Sequence, residues 1–145
     1  MANIIFYEKT GCVNNTKQKQ LLTLAGHNVE AIDLIRYPWT SEELLSFFNG
    51  LEVKKWFNQN APAVSSGEII PEKYSVIAAL DAMLADHLLI KRPLMIIDGH
   101  KLVGFDKAEI DRIIGLDKSK DPKIEILLAE NLTDCPQKAI NKTCD

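Results

Sequence analysis

Leu88-Leu89-Ile90-Lys91-Arg92-Pro93-Leu94-Met95-Ile96-Ile97-Asp98-Gly99-His100-Lys101-Leu102-Val103 is the stretch that decides the fold. An apolar run, Asp98-Gly99 and a second run over residues 101–103 spell a β-hairpin, because Asp-Gly supplies the positive-φ positions of a tight turn. Pro93 has no N–H to give a sheet ladder, so it marks the point where the strand Leu94–Ile97 begins. If the Arg92–Pro93 bond is cis, the chain turns sharply there and exposes the backbone of Arg92. Downstream, Asp106 is placed to cap a helix that runs through Ile114 and stops at Gly115. Hairpin followed by helix is a ββα unit.

Working back toward the amino terminus, residues 3–7 (NIIFY) read as a buried strand and Thr10-Gly11 break it. A helix follows from Cys12 or Val13 to Ala25, with Gly26 as its stop, and residues 28–34 form a second strand. Strand, helix and strand in so short a span make a βαβ unit with a parallel pair and a right-handed crossover. Between the two units the chain is helical. Thr40 or Ser41 caps one helix carrying Leu44, Leu45, Phe47 and Phe48, and residues 51–58 predict a second, short helix. Residues 75–85 predict a third, with Val76, Ile77, Leu80 and Leu84 at helical spacing. The order βαβ, helical insert (about 40–87), ββα is an α/β, thioredoxin-like plan over residues 1–116, with a four-stranded mixed sheet and flanking helices. Residues 117–145 read as a polar C-terminal tail, able to add a short helix but not a core of its own.

Composition narrows the function classes. The 145 residues predict one domain, and 17 Lys plus Arg against 20 Asp plus Glu leave a formal charge of -3. Without a basic excess to neutralise phosphates, a direct nucleic-acid partner is not expected. The longest apolar run, residues 76–80, falls far short of the roughly 18 residues that a membrane span needs. Met1-Ala2-Asn3 lacks the cationic stretch of a secretory signal, so the expected location is cytoplasmic. Cys12, Cys135 and Cys144 form no C-x-x-C pair and His27, His87 and His100 are scattered, so no metal site is expected.

Chemistry concentrates at Cys12. It sits between the first strand and the first helix, where unpaired N–H groups and the positive end of the helix dipole favour a thiolate. A thiolate is the species that attacks a disulfide or an oxyanion. Asn15 stands where a dithiol protein would carry its second cysteine, so this loop holds a single thiol. By position alone, a reactive thiol and a small apolar filler are equally good readings. Arg92-Pro93 tilts the balance, because in this plan that bend faces the Cys12 loop and brings a permanent positive charge toward it. Cys135 and Cys144 reach Cys12 only if the tail folds back, and the simpler expectation is two incidental thiols.

Phe6-Tyr7-Glu8-Lys9-Thr10-Gly11-Cys12, Ile90-Lys91-Arg92-Pro93-Leu94 and residues 98–105 (DGHKLVGF) resemble the arsenate reductase ArsC and Spx family over about residues 2–115. Within it the chain is most similar to nitrogenase-associated, ArsC-like proteins of nitrogen-fixing bacteria. The resemblance implies Cys12 as nucleophile, Arg92 as the arginine before the proline, and Pro93 as a shaping residue. Asn15 is then a candidate to hydrogen-bond the sulfur. The family's three-arginine oxyanion site is incomplete: the middle arginine falls near Lys54 and the last near Gly104. Lysine is a point charge without the guanidinium fork, and each oxyanion donor is worth about 3 kcal/mol. The expectation is therefore a monothiol oxidoreductase acting on a small oxyanion or a mixed disulfide. No cofactor is bound, and glutathione or a glutaredoxin is the reductant. The alternative is a non-catalytic, Spx-like binding module with a protein partner in nitrogen fixation.

Overall fold

In the computed structural model, which describes residues 1–133, the sheet is built as the hairpin and βαβ patterns require. β1 (Asn3–Glu8) pairs in parallel with β2 (Asn28–Asp33), and α1 (Val13–Leu24) makes the crossover. On its other side β1 pairs antiparallel with β3 (Leu94–Ile97), which pairs antiparallel with β4 (His100–Val103), giving the order β2-β1-β3-β4. The β3–β4 turn has Asp98 at φ 45° and Gly99 at φ 88°, the two left-handed positions that Asp-Gly tolerates best. The Asp98 carboxylate also accepts the N–H of Asn3 at 3.0 Å, locking the turn onto the start of β1.

Period-two alternation sorts the sheet side chains between two cores. Ile4, Phe6, Met95 and Ile97 face Leu21 and Leu22 of α1 and Ile110 of α5 (Lys107–Ile114). Tyr7 and Leu94 face the helical insert, composed of α2 (Ser41–Phe48), α3 (Pro62–Ser65) and α4 (Val76–Ala85). There Leu44, Phe47, Phe48, Trp56, Phe57 and Met83 are buried. Thr40 caps α2, Ser75 caps α4 and Asp106 caps α5, each side chain accepting a first-turn N–H.

Two segments differ from the sequence expectation. Residues 51–58 do not form an α-helix; a single 3-10 turn, Val53–Trp56, ends in an extended Phe57 that bridges to Ile90. The Asn58 N–H donates to Leu89 O at 2.8 Å and the Lys91 N–H to Trp56 O at 2.9 Å. These pairings consume backbone groups a helix would have used internally. Trp56 stacks on Phe48, ring centroids 4.9 Å apart, and pins the turn. The second difference is one of boundary: the short helix allowed for beyond residue 116 does form, but it joins the core instead of standing apart as a tail. Packing does not stop at residue 116: α6 (Pro122–Ala129), capped by Asp121, lies against α1 and buries Ile124 and Leu127 in the first core. Leu132 is buried there too. The polar linker at 117–121 masked an apolar spacing that the core captures. No helix among the described residues is long and apolar enough to cross a membrane.

Candidate active site

The β1–α1 loop is closed by its own backbone, with the Cys12 N–H donating to Lys9 O at 3.0 Å. Cys12 is the N-cap of α1, in extended conformation, and its side chain makes no capping hydrogen bond. The thiol therefore stands beside the amino end of a twelve-residue helix whose first turn carries no acidic side chain. It is half-buried, in a cleft of about 40 Å³ whose walls are mostly polar. Asn14, Asn15 and Gln18 of α1 form one side. Asn58 and Asn60 of the insert, Arg92, Leu132 and Thr133 complete the lining. Such a lining does not suit a thiol that merely fills hydrocarbon space.

Arg92 reaches this position through the bend before β3. The Arg92–Pro93 bond is cis, Pro93 is buried, and Pro93 O accepts the N–H of Gly104 at 2.8 Å. Arg92 also lines a neighbouring cavity of about 370 Å³, together with Lys91, Gly104 and Asp106. Asn58, Asn60 and Thr133 belong to both spaces, so the two open onto a shared wall. Lys9 adds a third cation to the neighbourhood: burial and then the Arg92 guanidinium hold its ammonium below the ordinary lysine range, while Cys12 opposes that shift.

Each predicted site residue can now be placed. Cys12, Asn15 and Arg92 share one cleft, with Pro93 holding the bend behind it. Asn15 is engaged in holding the loop: its Oδ1 accepts the Lys9 N–H at 3.1 Å and its amide donates to Gln18 Oε1 at 2.9 Å. Gln18 in turn donates to Leu132 O at 2.7 Å, so one buried polar chain ties the thiol loop to the carboxyl end. Lys54 does not reach the cleft. It is exposed and lies 3.7 Å from Glu52, and the insert contributes Asn58 and Asn60 instead. The Phe57–Ile90 bridge and the backbone bonds of Asn58 to Leu89 and of Lys91 to Trp56, all long-range pairings, direct residues 58–60 toward Arg92. At position 104 the backbone has φ +78°, and a Cβ would sit 3.1 Å from Lys91 Cε. The Lys91 stem thus fills the place where the family resemblance looks for an arginine. Among the described residues no group of three or more His, Cys, Asp or Glu is gathered to hold a metal ion. Cys135 and Cys144 lie outside the described residues.

Known proteins resemble this chain in sequence and in fold. The ArsC family model matches residues 7–113. An uncharacterized 15.7 kDa protein from the draG 3′ region of Rhodospirillum rubrum is 43% identical over 144 residues, covering 99% of this chain and 95% of the relative. The uncharacterized protein YusI of Bacillus subtilis is 30% identical over 114 residues, 75% of this chain and 96% of YusI. Among solved structures, one described as a possible arsenate reductase from Streptococcus mutans UA159 superposes with a TM-score of 0.63 at 25% identity. That match covers 77% of this chain and 99% of the other.

Proposed function

The chain belongs to the ArsC family, and we propose that it works as a monothiol oxidoreductase with Cys12 as nucleophile. One observation carries the reading: Cys12, at the amino end of α1, shares a small polar cleft with Arg92. In the proposed reaction the Cys12 thiolate attacks one sulfur of a disulfide, forming a mixed disulfide and expelling the other sulfur as a thiolate. Arg92 draws the anionic sulfur or the anionic end of the substrate toward the cleft. A second thiol, from glutathione or a glutaredoxin, then attacks the mixed disulfide and returns Cys12 to its reduced form.

A disulfide suits this site better than arsenate. One guanidinium is present at the cleft, and the other cations nearby, Lys9 and Lys91, are point charges. Two missing forks at about 3 kcal/mol each would slow oxyanion chemistry by several orders of magnitude. The biological setting we propose is nitrogen fixation, on the sequence likeness to nitrogenase-associated proteins and the draG-region relative. The test is glutathione-linked turnover of hydroxyethyl disulfide and of arsenate, compared between the native chain and Cys12→Ser. Turnover of the disulfide well above that of arsenate, lost in Cys12→Ser, is the expected result. A native chain inert toward both compounds removes the enzymatic reading.

The second reading is an Spx-like binding module, favoured by the depleted cation set and by Val13, 44% exposed next to the thiol. It predicts that Cys12→Ser leaves the growth of nitrogen-fixing cells unchanged while deletion of the protein impairs it.

A further inference from the structure

We infer that Lys91 and Asp106 select the disulfide substrate: the cavity they share seats a substrate arm that ends in an α-amino acid group, with the carboxylate on Lys91 and the ammonium on Asp106. The inference rests on the monothiol reading above and assigns its substrate class. The cavity of about 370 Å³ is within the size range of small-molecule sites, and Arg92, Asn58 and Asn60 line both it and the Cys12 cleft. A disulfide attacked by Cys12 therefore has one place beside the thiol for the arm that stays bonded to the attacked sulfur.

The charges in that space are of both signs. Lys91 and Asp106 line it together, and the two sit close to one another. A Cβ at Gly104 would be 3.1 Å from Lys91 Cε, so the lysine stem lies over residue 104. Asp106 is two residues further on, a span of at most about 7 Å of chain. Neither charge is spent on the other, because among the described residues Lys91 and Asp106 form no ion pair. Asp106 Oδ1 accepts the N–H groups of Ala108 and Glu109 at 3.1 and 3.2 Å as the cap of α5. Those bonds fix the direction of the carboxylate and leave its negative charge in place. Asp106 is exposed and Lys91 half-buried, so a ligand reaches both.

This pairing decides between ligand classes. A simple anion would gain from Lys91 and Arg92 but meet the Asp106 carboxylate, and a simple amine would meet two cations. An α-amino acid group carries both signs on one carbon and satisfies both residues at once. The Asn58 and Asn60 side chains add neutral donors and acceptors along the same wall. In the reaction the Cys12 thiolate forms a bond to the sulfur of the seated arm. The bond between the two substrate sulfurs breaks, and the second sulfur leaves with the electron pair and takes a proton from water.

The experiment uses three disulfides on one skeleton: L-cystine, cystamine, which lacks the carboxylates, and 3,3′-dithiodipropionate, which lacks the amines. The full chain is mixed with each, quenched with acid, and the Cys12 thiol remaining is counted by alkylation and peptide mass spectrometry. Each rate is divided by that of free 2-mercaptoethanol with the same compound, which removes intrinsic differences in reactivity. The native chain should favour cystine about tenfold over either analogue, since each analogue lacks one charge-assisted hydrogen bond. Asp106→Asn, which keeps a good cap, should slow cystine about tenfold and leave dithiodipropionate as fast or faster. Lys91→Met, which keeps an apolar stem over Gly104, should slow cystine about tenfold and leave cystamine as fast or faster. Normalised rates equal for all three compounds on the native chain overturn the inference and leave Cys12 as a thiol without this selectivity. Variants that slow all three compounds alike overturn it as well. If Cys12 reacts with none of them, the monothiol reading fails and this inference fails with it.

Discussion

Replacing Gln18 with alanine isolates the buried polar chain between the thiol loop and the carboxyl end. Gln18 is 2% exposed and makes two bonds, to Leu132 O at 2.7 Å and to Asn15 Nδ2 at 2.9 Å. Alanine strands both partners in a region that water reaches poorly, at about 1–3 kcal/mol per buried group. Taken together the loss is roughly 3 kcal/mol, or about 6–12 °C in Tm for a chain of this length. Lys17→Ala is the comparison, since it breaks the neighbouring contact to Glu130 whose partners are 41% and 36% exposed. A solvated ion pair of that kind is worth less than about 1 kcal/mol, so its Tm should fall by no more than about 2–4 °C. Thermal and urea unfolding of the two variants beside the native chain decide the matter. Loosening of the Leu132 wall should also speed alkylation of Cys12 by iodoacetamide in Gln18→Ala. Equal Tm losses in the two variants, with no change in alkylation, would falsify the claim that this chain holds the cleft together.

Three further outcomes follow from the same geometry. Arg92→Ala should lower kcat/KM for an anionic disulfide substrate about 100-fold, and Arg92→Lys should restore only part of it, because an ammonium lacks the planar fork; steady-state kinetics on both variants check this. Lys54→Ala should leave turnover unchanged and shift Tm by about 2 °C or less, since its contact with Glu52 is exposed at both ends. Lys9 gives a pH-dependent outcome. Its folded-state ammonium is held below the ordinary lysine range, so the unfolded chain binds its proton more tightly and the charged form opposes folding. Lys9→Met should therefore raise Tm at neutral pH, with an advantage that shrinks as pH climbs through the alkaline range and the native lysine deprotonates. An advantage that is the same at every pH would assign the effect to packing instead.

Much of the scaffold is readable from local patterns. The Asp98-Gly99 turn, the Pro93 boundary and the caps at Thr40 and Asp106 are chemical signals carried by one or two residues each, so no long-range knowledge is needed. Cys12 and Arg92 come together for a topological reason, since a βαβ–ββα chain places β1 next to β3 and brings the loop and the bend to the same sheet end. What local pattern does not carry is anything that depends on a distant partner. Residues 51–58 have apolar spacing that a helix would satisfy, but residues 89–91 compete for their backbone groups and win. Asn58 and Asn60 enter the cleft by that route, and Lys54 stays outside. Likewise Ile124, Leu127 and Leu132 look like stray apolar residues in a polar stretch until α1 and α5 offer them a surface. A spacing of apolar residues three apart after the Asp121-Pro122 cap was the available signal for α6.

The glycine at 104 bears on how such a chain changes over generations. An arginine gained there would carry roughly 1–2 kcal/mol of backbone strain at φ +78°. It would also have to push aside a neighbouring lysine stem. A single codon change is then penalised before it can recover any affinity for an oxyanion. A guanidinium at this position would thus come with a strained backbone and a displaced Lys91 stem, so the local geometry favours chemistry that does without it.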